Sequence, residues 1–182
     1  MRNPFDTLVS YFNLFATRKH TETIAPEVFE TFAHVWQHVI EESSASMAKC
    51  HQFWQEQAKT IPVYFVRYED LLLKREETLR KMFCFLLNVT DIEGTLIEAL
   101  IKRAVDEGPK QIYKPRMGKI DSNRDRYSPE QIKFIEKTMK PFLVSCGYAD
   151  GQPGEYFSEI DEHNKKTMEW LASEDYHREV LA

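Results

Sequence analysis

One short run of β-branched and aromatic residues places the strongest constraint on how this chain folds. The run PVYFV, residues 62–66, has the composition of a buried parallel strand. The stretches around it are helical instead, because their apolar residues recur every three or four positions, in residues 4–16, 26–59, 76–87, 92–105 and 128–145. A single strand does not form a stable sheet, so we expect its neighbours to come from residues upstream of Met1.

Capping residues and turn formers locate the ends of the helices. Ser128 has the side chain and position of a helix N-cap, and Gly147 is predicted to end that helix. A break is expected near Ser43 in the longest helical stretch. Residues 108–125 have no periodicity and are predicted to form a loop, whereas GQPG at 151–154 is typical of a linker.

Composition is that of a globular protein with a local anion site. The 182 residues are 42% hydrophobic and 13% aromatic, which suits a packed core rather than a disordered chain. The formal net charge is −5, yet six basic residues face only two acids between Lys110 and Arg126. A basic segment in an acidic protein favours an anion site over nucleic-acid binding, so no nucleic-acid partner is predicted.

Cysteine and histidine usage argues against a disulfide framework and a metal site. Cys50, Cys84 and Cys146 are odd in number and widely separated, which predicts a reducing compartment, here the cytoplasm. His34 and His38 have a spacing that can hold a metal, but a solvated helix face is favoured and no metal is predicted. No apolar run of about 18 residues is present, so no membrane span is predicted.

The first residues of the chain form a candidate anion site. In RNPFDTLVSY, residues 2–11, Asn3-Pro4 is a turn that begins a helix, and Asp6 adds a carboxylate near the positive helix end. Arg2 precedes this helix and Ser10 lies about two turns into it, so both can face one anion. On this segment alone, a surface arginine and an ordinary helix serine explain the pattern equally well.

Three segments in register resemble sulfotransferases that use 3′-phosphoadenosine 5′-phosphosulfate (PAPS). RNPxDxxxSY resembles the family's 3′-phosphate-binding segment, PVYFVRYEDL its strand followed by YEDL, and RMGKIDSNRDRYSPEQ its RKGxxGDWKxxFTxxQ segment. His51 and Trp54 are similar to the histidine and tryptophan before the strand. The resemblance covers about residues 2–148. Residues 1–148 are therefore predicted to be the C-terminal part of a sulfotransferase domain, followed by a linker and an acidic helix in 149–182.

The resemblance implies a fold, a reaction and a set of binding residues. The implied fold is α/β, a partial P-loop-NTPase-like sulfotransferase fold that is predominantly helical with few parallel strands. The implied reaction transfers a sulfonate group from PAPS, a co-substrate, to a hydroxyl or amine of a small-molecule acceptor. The side chains of Arg2, Ser10 and Arg116 would hold the 3′-phosphate, and Tyr68 would contact adenine. Gly118 would let the loop backbone approach the phosphate closely.

Departures from the family pattern define an alternative. No TYPKSGT-like 5′-phosphosulfate loop and no KTH-like catalytic histidine occurs in the sequence, so no catalytic residue is predicted and the isolated chain should be weakly active or inactive. Asn123 replaces the tryptophan of GDWK, which is expected to weaken loop packing. The alternative function is a non-catalytic helical interaction module derived from a truncated sulfotransferase, which self-associates or pairs with the missing N-terminal part.

Two further alternatives concern the YEDL segment. Tyr68 taken alone also fits an ordinary tyrosine at the end of a strand. Glu69 and Asp70 are predicted to cap the turn that they occupy rather than to act as a general base.

Overall fold

The computed structural model describes residues 1–107, 123–149 and 159–173. Regular structure in these ranges is helical, and they contain no strand. The α-helices, in chain order, are α1 (Pro4–Thr17), α2 (Pro26–Thr31), α3 (Ala33–Gln57), α4 (Tyr68–Leu73), α5 (Arg75–Leu87), α6 (Leu96–Asp106), α7 (Pro129–Thr138), α8 (Lys140–Ser145) and α9 (Glu159–Leu171). None of the helices in the described ranges is long and apolar enough to cross a membrane. The predicted predominance of helix is confirmed.

The helix starts follow local sequence rules. Asn3 caps α1, because its side-chain oxygen accepts a hydrogen bond from the Phe5 amide at 3.0 Å and Pro4 occupies the first helical position. Ser128 caps α7 and forms a reciprocal capping box with Gln131. The end signal at Gly147 also holds, since its φ of 73° is the left-handed conformation that glycine adopts without strain.

The predicted course of two helical stretches is wrong: one break is misplaced and another was not predicted. The stretch 26–59 breaks at Phe32, where φ is −110° and ψ is 35°, and α3 then runs unbroken through Ser43. The helix from Ser128 is divided at Met139, because Pro141 has no amide hydrogen for the helix ladder and restarts the chain as α8. Serines are tolerated inside a packed helix, whereas a missing backbone donor is not compensated by packing.

The main core lies where α1, α3, α7 and α8 meet. Aromatic rings dominate it: Phe12 and Phe29 each lie about 5 Å from the Trp36 ring, with centroid distances of 5.1 and 5.2 Å. Tyr127 joins this cluster and donates a 2.6 Å hydrogen bond to the Phe5 carbonyl, which fastens the start of α7 to α1. A smaller cluster around Ile92 and Ile101 joins α5 to α6.

The predicted strand is an extended segment without a strand neighbour. Residues 62–67 link α3 to α4, and none of them is in a strand, so the few parallel strands expected from the sequence are absent from the described residues. One edge of the segment is bonded by a side chain of α9: the Asn164 amide accepts from the Phe65 N–H and donates to its carbonyl, both at 2.8 Å. A side chain thus replaces a neighbouring strand along this edge.

The opposite edge of the segment pairs with the first residue of the chain. The Met1 amino group donates to the Val66 carbonyl, and the Met1 carbonyl accepts from the Tyr68 amide at 2.7 Å. Met1 thus bonds Val66 and Tyr68, the residues on either side of Arg67. This is the hydrogen-bond pattern of parallel pairing between Met1 and Arg67. The predicted parallel strand is itself absent from the described residues, and this pairing involves Met1 alone.

The acidic helix α9 docks on this segment through Arg67. The Arg67 guanidinium is buried and binds both carboxylate oxygens of Asp161 at 3.1 Å and Asp70 at 2.7 Å. Ile160 and Leu171 of α9 are buried as well. The acidic helix thus has a docked face.

Acidification should destabilise this fold through His51. His51 is 5% exposed, its Nε2 lies 3.1 Å from Ser145 Oγ, and burial lowers its pKa below 6.5. The unfolded chain therefore binds more protons below about pH 6.5, so stability should fall as pH drops through that value. Between about pH 7.5 and about pH 5, the Tm of thermal unfolding should fall less for His51→Gln than for the wild type.

His34→Gln provides the control for this measurement. His34 lies on the same helix but is exposed, so this variant should retain the pH dependence of the wild type. Parallel stability profiles for the wild type and His51→Gln would show that the buried imidazole does not cause the acid sensitivity.

Candidate functional site

The turn before α1 is held by hydrogen bonds on both sides of Asn3. Its carbonyl accepts from the Thr7 amide at 3.0 Å and from the Thr7 hydroxyl at 2.9 Å. Its amide donates to Glu69 Oε1 at 2.9 Å, so the turn is also joined to α4. This turn sets the direction in which the preceding residue, Arg2, leaves the backbone.

The structure brings Arg2 and Tyr68 together across 66 positions of sequence. The Arg2 guanidinium carbon lies 4.8 Å from the centroid of the Tyr68 ring, within the range of a cation–π contact. Arg2 Nε is buried and has no hydrogen-bond partner, although the residue as a whole is only half-buried. The Tyr68 hydroxyl also has no hydrogen bond to any described residue. The pair therefore places a guanidinium with one buried, unbonded N–H beside a phenol that has no hydrogen bond to a described residue.

Ser10 lies further along α1, on the same side of the helix as the turn. Ser10 lies seven positions after Asn3, which places the two residues on one helix face about 10 Å apart along the axis. Ser10 is half-buried, and its hydroxyl has no hydrogen bond within the described part of the chain. For Arg2 and Ser10 to contact one anion, the arginine side chain must therefore extend along the first two turns of α1.

Arg116 and Gly118 lie outside the described residues, so their predicted contacts stay predictions. The end of that segment is described and is fastened to α1. Asn123 Nδ2 donates to the buried Asp6 carboxylate at 2.7 Å, and the Arg124 guanidinium lies 4.2 Å from the Phe5 ring centroid. The Asn123 amide thus bonds a buried carboxylate, whereas the loop packing that Asn123 is expected to weaken lies outside the described residues.

Sequence reasoning missed the role of Glu69. We expected Glu69 to cap the turn, but its carboxylate, 1% exposed, accepts from the Asn3 amide and from the Tyr148 hydroxyl, the latter at 2.6 Å. Burial and the neighbouring Glu69 charge raise the pKa of Tyr148 well above its usual value, so the phenol remains a donor. Asp70 pairs with Arg67 instead of acting as a base. No local pattern in the sequence signals a contact between residues 69 and 148.

The Arg2 guanidinium has the charge and the donor geometry to bind an anion. Arg2 is cationic with a free N–H, and a guanidinium is a planar fork that matches phosphate oxygens. Two acidic side chains of the adjoining helices, Glu69 in α4 and Asp6 in α1, are buried and hydrogen-bonded. Within the described ranges, no group of three or more histidine, cysteine or acidic side chains is placed to hold a metal ion.

Comparison with known proteins identifies a family but no individual relative. The family model described as "Sulfotransferase domain" matches residues 1–169, which cover most of the chain and extend into α9. No curated protein and no solved structure gives a significant match.

The free hydroxyl of Ser10 leads to a stability prediction. Ser10→Ala should raise the free energy of unfolding by about 0.5 kcal/mol, because alanine favours helix and no internal hydrogen bond is lost. Urea denaturation would measure this difference.

Ser128→Ala is the matched control for Ser10→Ala. This change removes a capping box and should lower the free energy of unfolding by about 1 kcal/mol. If Ser10→Ala destabilised the chain as much as Ser128→Ala, Ser10 would have a structural role in the folded protein.

Proposed function

The chain belongs to the sulfotransferase family, and we propose that it takes part in sulfonate transfer from PAPS to a hydroxyl or amine of a small-molecule acceptor. Its proposed contribution is the half-site for the adenosine 3′-phosphate end of the nucleotide. One observation carries this assignment: the Arg2 guanidinium is held on the Tyr68 ring with Nε unbonded. All three cysteines are free thiols, which supports a reducing compartment and the proposed cytoplasmic location.

The chemistry of a terminal phosphate matches the proposed residues. A phosphate on the ribose carries nearly two negative charges and three acceptor oxygens, and Arg2 can donate to two of them at once. Because the Tyr68 ring already restrains the guanidinium, less side-chain freedom is lost on binding. The Tyr68 hydroxyl is proposed to contact adenine, and Ser10 to add a neutral donor. Arg116 and the backbone at Gly118 are proposed to complete the site.

The proposed half-site supports binding rather than the chemical step. Sulfonate transfer in line between donor and acceptor depends on positioning and on stabilisation of charge. Arg2, Ser10 and Tyr68 would position the nucleotide, and none of them is proposed as a general base. Loss of a general base typically costs about 10²–10⁴-fold in rate. We therefore expect the 182-residue chain alone to bind nucleotide and to turn over poorly.

A different observation favours the second candidate, an interaction module. On the edge of residues 62–67 that Met1 pairs with, the Tyr64 N–H and carbonyl and the Val66 N–H have no partner among the described residues. Unpaired groups along an extended segment can accept another polypeptide strand. Such a module would bind a polypeptide and would not distinguish nucleotides by their 3′-phosphate.

Isothermal titration calorimetry tests the half-site directly. The wild-type chain should bind adenosine 3′,5′-bisphosphate, and Arg2→Ala should weaken this binding at least about tenfold, because a charge-assisted hydrogen bond to phosphate is lost. Adenosine 5′-monophosphate lacks the 3′-phosphate, so Arg2→Ala should change its binding little. Any tag belongs at the C-terminal end, since the Met1 amino group bonds the Val66 carbonyl.

Arg18→Ala is the matched control for this titration. Arg18 also contacts an aromatic ring, with its guanidinium 5.4 Å from the Phe15 centroid, but it lies at the opposite end of α1. This variant should bind the bisphosphate like the wild type. A folded wild-type chain that binds neither nucleotide would refute the half-site and favour the interaction module.

A further inference from the structure

A single buried carboxylate connects the two residues of the proposed half-site. Glu69 follows Tyr68 directly in sequence, and its Oε1 accepts the amide of Asn3, which follows Arg2 directly. Glu69 Oε2 accepts the Tyr148 hydroxyl at 2.6 Å. The carboxylate thus belongs to the residue that follows Tyr68 and bonds the residue that follows Arg2.

A second set of bonds holds the same two segments on the other side of Arg2. Met1 pairs in parallel fashion with the backbone of Val66 and Tyr68, with the Tyr68 amide bonded to the Met1 carbonyl at 2.7 Å. Arg2 thus lies between anchors at Met1 and Asn3. Two fixed neighbours leave the Arg2 backbone little freedom, so the side chain begins from a defined position.

Tyr148 in turn fixes the Glu69 carboxylate. Gly147 ends α8 in the left-handed conformation, and the Tyr148 amide bonds the Leu143 carbonyl at 2.7 Å, which aims Tyr148 into the core. Tyr148 is 2% exposed, so its ring and hydroxyl are confined by packing. A carboxylate accepts both donors, whereas an amide at this position accepts one and sets its own N–H groups against the other.

We infer that Glu69 and Tyr148 are positioning residues for nucleotide binding, and this inference rests on the proposed function. Glu69 fixes the turn that directs Arg2 onto the Tyr68 ring, and Tyr148 holds the Glu69 carboxylate in the orientation that bonds Asn3. Neither residue contacts the nucleotide.

Paired measurements on Glu69→Gln and Tyr148→Phe test the inference. The first is the NMR signal of the Arg2 Nε–H group, which the Tyr68 ring shifts without any ligand. The second is the affinity for adenosine 3′,5′-bisphosphate by calorimetry, at a temperature where circular dichroism shows each variant folded. Both variants should move the Arg2 signal towards that of a free arginine. Affinity should fall about tenfold for Glu69→Gln and less for Tyr148→Phe.

Tyr127→Phe is the control that separates positioning from general destabilisation. Tyr127 is also buried and donates a 2.6 Å hydrogen bond, but its acceptor is the Phe5 carbonyl rather than Glu69. This variant should lose stability and keep both the Arg2 signal and the affinity. If Tyr148→Phe and Glu69→Gln behaved like Tyr127→Phe, the inference would be overturned.

The two measurements also distinguish failure of the inference from failure of the proposed function. Suppose that the wild-type chain binds no nucleotide but the Arg2 signal moves in Glu69→Gln. This result would refute the proposed nucleotide site and keep the role of Glu69 in positioning Arg2. If the wild-type chain binds the bisphosphate and neither variant changes the Arg2 signal or the affinity, the proposed function is supported and the positioning role is refuted. Should Glu69→Gln not fold, Tyr148→Phe decides, because it removes only the hydroxyl that orients the Glu69 carboxylate and keeps the carboxylate itself.

Discussion

The attachment of residues 1–3 to residues 66–69 is the interaction on which the candidate site depends. Met1 pairs with the backbone of Val66 and Tyr68, and Asn3 bonds the Glu69 carboxylate. Backbone bonds fix the separation of the two segments, and the buried carboxylate fixes their rotation. With both in place, the Arg2 guanidinium carbon lies 4.8 Å from the centroid of the Tyr68 ring. A site assembled from distant segments needs such anchors, because small displacements weaken oriented contacts to phosphate.

Helix α9 stabilises the same region from the opposite edge. The Asn164 amide bonds both backbone groups of Phe65, as a neighbouring strand would, and Asp161 shares the buried Arg67 guanidinium with Asp70. Arg67 directly precedes Tyr68. The family match extends to residue 169, so most of α9 falls within the part of the chain that resembles a sulfotransferase domain. The acidic helix is therefore connected, through one buried arginine, to the residue proposed to contact adenine.

Sequence reasoning succeeded where the cause is local. The caps of α1 and α7 and the glycine end of α8 follow from side chains within three or four positions of the helix ends. It failed where packing or a backbone donor decides, as at Phe32 and Met139, and it assigned Glu69 to its own turn instead of to Asn3. A run rich in β-branched residues predicts an extended conformation, but the ladder depends on neighbours that the run does not specify.

The sequence by itself determined the residue types and the family: a guanidinium before a capped helix, a tyrosine before an acidic pair, and motifs in register over most of the chain. Tertiary structure alone decided that Arg2 contacts Tyr68 and that Glu69 joins Asn3 to Tyr148. The physical reason is that helix periods and caps act over a few residues, whereas these contacts join segments 66 to 79 positions apart. Such contacts form only when the buried faces of several helices pack together, and the periodicity of the sequence does not predict them.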